Sequence, residues 1–99
     1  MTGGAPPGQY RMEMIRLPKG VAVRGYARAV EEAYFVLEGS ITVGWEEAAG
    51  KAEERLGPRD AILNPAGRVH WFRNDGRVDA EFMMLVGTAD AEEVRFQPA

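Results

Sequence analysis

Apolar and polar positions along this 99-residue chain change over short runs, and no segment holds a helical period over a convincing length. Tyr10 to Leu17 alternates in part and reads as a strand, followed by a turn at Pro18-Lys19-Gly20. Val21 to Arg28 alternates well, with Val21, Val23 and Gly25 on one side and Ala22, Arg24, Tyr26 and Arg28 on the other. Ala33 to Leu37 is a continuous apolar run, short enough for a buried strand. Glu38-Gly39-Ser40 breaks it and Ile41 to Trp45 returns, so Ala33 to Trp45 is expected to form a hairpin. Glu46 to Glu54 is polar and reads as a longer hairpin loop with a strand rising to Leu56. A short helix over Glu46 to Arg55 is the rival reading, because Ala and Glu favour helix. Ala61 to Leu63 is a brief strand, Val78 to Thr88 a longer one, and Val94 to Phe96 closes the series. Roughly eight or nine short strands, punctuated by turns, predict an all-β sandwich or barrel.

Pro65 to Asn74 is the stretch with the most chemistry. Pro65 and Gly67 set a tight turn ahead of the chain's single histidine, and Asn74-Asp75-Gly76 is a hairpin-type signal. Strand alternation puts His70, Phe72 and Asn74 on one face and Val69, Trp71 and Arg73 on the other. Trp71 is therefore assigned to packing or a dimer contact, and Trp45 to core or interface. Met12, Met14, Met83 and Met84 are assigned to gap-filling in the core.

Composition narrows the classes. The length fits one domain. Met1 to Gln9, with three glycines and two prolines, reads as a flexible arm, and residues 10–99 as a single barrel domain. A net charge of −3 supplies no basic stripe for nucleic acid. No apolar run approaches the ~20 residues of a membrane helix, and Met1 to Gly8 has no signal-peptide character. The chain has no cysteine, which fits a cytoplasmic protein and excludes disulfides and thiolate catalysis.

Two segments resemble the cupin superfamily. Gly20-(x)5-Tyr26-x-Arg28-(x)3-Glu32-(x)6-Gly39 has the spacing of its first motif, in which histidines stand where Tyr26 and Arg28 stand here. Pro65-x-Gly67-(x)2-His70-(x)3-Asn74 matches its second motif; the glycine that opens that motif falls on Arg59, with Gly57 two residues earlier. The resemblance implies a jelly-roll (double-stranded β-helix) barrel with a small interior pocket, commonly a homodimer. It also implies that Tyr26, Arg28, Glu32 and His70 converge inside. Relatives with the full set hold a divalent metal there. Here two donors remain, and a guanidinium never deprotonates to offer a lone pair. At ~4 Å it repels each positive charge by about 4 kcal/mol at an effective dielectric of 20. The expectation is a site with no metal or other cofactor.

In such a site His70, Glu32 and Tyr26 are the candidate acid–base residues. Arg28 is the candidate anion clamp, with Phe72 on the pocket wall and Arg24 either at the barrel mouth, extending the anion site, or on the surface. Arg28 and Glu32 pairing with Tyr26 and His70 in a closed, purely structural network is the competing reading. The functional expectation is a barrel that binds a small organic, anionic ligand, with metal-independent isomerase-, cyclase- or decarboxylase-like chemistry as one extension. A metal-dependent cupin with a reduced Glu/His site and a non-catalytic sensor are the alternatives. Whether the chain is an enzyme stays open at this stage.

Overall fold

The computed structural model describes residues 10–87 and the backbone of a last strand, Val94–Phe96. The expected arm over residues 1–9 lies outside the described residues. The strands are β1 (Tyr10–Leu17), β2 (Ala22–Arg28), β3 (Glu32–Glu38), β4 (Ile41–Glu47), β5 (Gly50–Leu56), β6 (Ala61–Asn64), β7 (His70–Arg73), β8 (Ala80–Gly87) and β9 (Val94–Phe96). They form two antiparallel sheets, ordered β1-β8-β3-β6 and β5-β4-β7-β2-β9.

The core follows from alternation on β3 and β8, where every second residue is buried. Tyr34 and Phe82 from the first sheet meet Phe72 from the second, with ring centroids 5.2–5.3 Å apart in edge-to-face geometry. Each such contact contributes about 0.5–1.5 kcal/mol beyond area burial. Val36, Ile41, Val43, Leu56 and Val86 complete the apolar layer.

Two expected hairpins are instead crossings between sheets. β3 pairs with β6 and β8 while β4 pairs with β5 and β7, so Glu38-Gly39-Ser40 carries the chain from one sheet to the other. Gly39 takes φ 71°, where a Cβ would lie 2.8 Å from the Asp79 carbonyl oxygen. The Asn74-Asp75-Gly76 turn likewise leads from β7 to β8 in the opposite sheet. Asn74, fully buried, pins this corner: its Nδ2 donates to the Leu17 and Val78 carbonyls at 2.9 Å, and its Oδ1 accepts from the Gly76 N–H at 3.0 Å. The polar stretch after Trp45 is neither a long loop nor a helix. β4 and β5 pair from Ile41↔Leu56 to Glu47↔Gly50, leaving a two-residue turn.

The methionine assignment is corrected for β1. Met84 is buried, but Met12 and Met14 are 65% and 57% exposed. The strand alternates as expected: Ile15 and Leu17 face inward onto the core, but so do Arg11 and Glu13, which leaves Met12 and Met14 on the outer face.

Candidate functional site

One end of the sandwich is a polar tier. On β3, Glu32 faces inward at the head of the strand, with Val86 of β8 and Asn64 of β6 as its cross-strand partners. The facing row of the second sheet is Trp45 of β4, His70 of β7 and Tyr26 of β2. The connection from Asn64 to His70 closes this end. It is tied to β2 by Gly67 N–H donating to the Arg28 carbonyl at 2.8 Å, and to β4 by Glu46 N–H donating to the Val69 carbonyl at 3.0 Å.

Glu32 is the hub and is 0% exposed. Its Oε1 accepts from Tyr26 Oη and Tyr34 Oη, both at 2.5 Å, and faces His70 Nε2 at 2.7 Å. Its Oε2 accepts from Arg28 Nε. The two phenol oxygens lie 2.6 Å apart. Burial alone would raise the Glu32 pKa; the hydrogen bonds from His70, Tyr26, Tyr34 and Arg28 outweigh it and hold the carboxyl at about 2. Burial, reinforced by the Glu32 charge, pushes Tyr26 above its ordinary value. Burial together with its Tyr26 and Glu32 neighbours does the same to Tyr34.

His70 Nδ1 lies 2.9 Å from the Arg68 carbonyl, which can only accept, so Nδ1 carries a hydrogen. Nε2, on the other side of the ring, faces the Glu32 carboxylate.

Asn64 is fully buried beside Glu32, and neither its Nδ2 nor its Oδ1 has a hydrogen-bond partner among the described residues. Arg68 Nε, in the connection that closes the tier, is in the same condition. The Arg68 guanidinium lies over the Trp45 ring, 5.0 Å from its centroid.

The structure brings Tyr26, Arg28, Glu32 and His70 together. Phe72 lies one layer deeper, in the aromatic core. Arg24 leaves the group: a β-bulge between Val23 and Tyr26 turns both of these inward, so Arg24 no longer shares the Tyr26 face and is exposed. Tyr34 and Asn64 were missed. Tyr34 had a signal, a hydroxyl two residues from Glu32 on the same strand face. Asn64 had another, an amide on the Ile62 face of an otherwise apolar run.

The donor set does not suit the divalent ion of full-motif cupins. Among the described residues no group of three His, Asp or Glu side chains converges. Glu32 and His70 are bonded to each other, Arg28 occupies the second carboxylate oxygen, and raising the Tyr26 pKa disfavours a phenolate ligand.

Two antiparallel sheets wrapped around an interior tier define a jelly-roll barrel. The sequence matches the Cupin domain over residues 13–86, and the chain belongs to the cupin family. No curated protein matches it. Among solved structures, vicilin from Solanum lycopersicum (tomato) superposes with a TM-score of 0.80 at 20% identity, over 90% of this chain and 26% of that one. A cupin superfamily protein from Desulfitobacterium hafniense gives 0.72 at 15% identity, over 86% and 72%. Oxalate decarboxylase from Lactobacillus farciminis gives 0.74 at 14% identity, over 86% and 26%. The chain thus spans about a quarter of the vicilin and decarboxylase chains, and the likeness is one of fold. No helix among the described residues is long and apolar enough to cross a membrane.

Proposed function

We propose that this cupin binds a small organic acid at the polar end of its barrel, without a metal, and that the acid carries a hydroxyl beside its carboxylate. The observation that carries this reading is the Asn64 amide. A buried polar group without a partner costs about 1–3 kcal/mol, and here neither the donor nor the acceptor of one amide has a partner among the described residues. A carboxylate satisfies the amide N–H and a hydroxyl satisfies the amide oxygen. The Arg28 guanidinium in the same tier supports an anion there.

Binding is favoured over acid–base turnover. A carboxylate held at about 2 by four donors is a poor base near neutral pH.

The test is thermal unfolding against plain carboxylates, hydroxy acids, sugar acids and phenols. A ligand at 100 times its dissociation constant adds about 2.7 kcal/mol, well above 10 °C in a domain this size. Asn64→Leu is expected to fold at least as stably as the parent and to lose the shift. A panel with no shift, or a shift that survives in Asn64→Leu, overturns the reading.

A further inference from the structure

Arg68 holds a charge that the rest of the barrel end does not match. It is half-buried in the connection from Asn64 to His70, and its Nε–H is buried with no acceptor among the described residues. The guanidinium makes two other contacts. Its Nη2 donates to the Leu63 carbonyl at 3.4 Å, long against the usual ~2.9 Å. Its central carbon lies over the Trp45 ring, 5.0 Å from the centroid. Among the described residues no carboxylate stands within ion-pair distance of it. An exposed guanidinium in that condition is simply hydrated. Here one N–H is shut away from water, and a ring face attracts the cation without neutralising it.

The two contacts also say where the charge sits. Trp45 belongs to the inward row of the second sheet, beside His70. Leu63 is joined by its peptide bond to Asn64, whose amide is the other unpartnered polar group of the tier among the described residues. The guanidinium therefore bridges β6 of one sheet and β4 of the other at the level of that amide.

We infer that Arg68 is the specificity-determining residue that meets the carboxylate of the bound acid, and that Trp45 positions it by stacking. The inference rests on the Asn64 reading above and adds an uncommitted charge to it. Arg28 shares its own charge with Glu32. The Asn64 amide is neutral, so it bonds an acid and the corresponding uncharged amide on similar terms. A guanidinium separates the two, because its planar N–H edge takes both oxygens of a carboxylate and carries a full positive charge. Stacking on an aromatic face leaves that edge available for bonding.

The experiment is titration calorimetry of the full chain with lactate and gluconate, each beside its uncharged primary amide. The parent is expected to bind each acid at least about tenfold more tightly than the amide, as charge-assisted hydrogen bonds require. In Arg68→Gln the affinity for the amides is expected to hold, while the acid-to-amide ratio falls about tenfold. Arg68→Lys keeps the charge without the planar fork and is expected to fall between the two; it carries the test should Arg68→Gln fail to fold. Asn64→Leu is expected to lose acid and amide together. A ratio unchanged in Arg68→Gln, with Asn64→Leu still unable to bind, overturns this inference alone and leaves the Asn64 reading standing. Equal loss of acid and amide in folded Arg68→Gln and Arg68→Lys also overturns it, since Arg68 then shapes the connection without reading charge. A parent that binds neither acid overturns this inference together with the reading beneath it.

Discussion

Glu32→Gln is expected to lower the free energy of unfolding by about 3–5 kcal/mol, a large share of the 5–15 kcal/mol typical of a domain. The amide cannot satisfy the same donors. Its NH2 group must face either Arg28 Nε or the cluster formed by Tyr26, Tyr34 and His70, all of which offer hydrogens. The part-buried Arg28 guanidinium then loses the Glu32 charge it bonds, which costs more than the pair contributes over an apolar substitute. Urea unfolding at neutral pH measures the loss. Acid unfolding supplies a second reading. Glu32 titrates at about 2 in the folded chain against an ordinary 4.5. Its stabilisation is therefore complete above about pH 4.5 and is lost as pH falls toward 2, amounting to about 3 kcal/mol. In Glu32→Gln that part of the acid slope should vanish. A variant that unfolds in parallel with the parent from pH 5 to pH 2 would contradict the hub geometry.

Gly39→Ala is the second large effect, expected at about 3 kcal/mol. A Cβ here meets backbone: the Asp79 carbonyl oxygen at 2.8 Å and Ala80 Cα at 2.9 Å, neither of which can swing aside. Left-handed φ adds its own strain of about 1 kcal/mol to an overpacking cost of about 1–3 kcal/mol. Gly20 separates the two contributions. It has φ 84° but nothing within 4 Å of its notional Cβ, so Gly20→Ala should cost only the backbone strain. Equal losses at the two positions would show that crowding at the Gly39 crossing is not what the glycine relieves.

The sequence was most readable where period-two alternation ran without interruption. His70, Phe72 and Asn74 do share the inner face, because β7 is regular from His70 to Arg73. The same rule failed at Arg24, because one extra residue between Val23 and Tyr26 inverts every assignment before it. Turn signals at Gly39 and Asn74-Asp75-Gly76 correctly marked where strands stop. Turn chemistry does not say which sheet receives the next strand, and at both positions the chain passes to the opposite sheet instead of forming a hairpin. β1 misled for another reason. Its alternation was visible, but the inward face mixes Arg11 and Glu13 with Ile15 and Leu17, so hydrophobicity alone does not say which side faces in. At the site, motif spacing brought Tyr26, Arg28, Glu32 and His70 together correctly. It carried no information on Tyr34 or Asn64, which lie between the motif positions.

The repeated crossings between sheets also bear on how quickly this chain can find its native state. Among the described strands, only β4 and β5 are both consecutive in sequence and paired. That ribbon can zip on the microsecond scale. Every other ladder joins segments separated by at least one whole strand, so loop-closure entropy must be paid before those contacts return any free energy. Folding in milliseconds to seconds, with the β4–β5 ribbon formed early and the first sheet assembling late, is the kinetic signature of this connectivity.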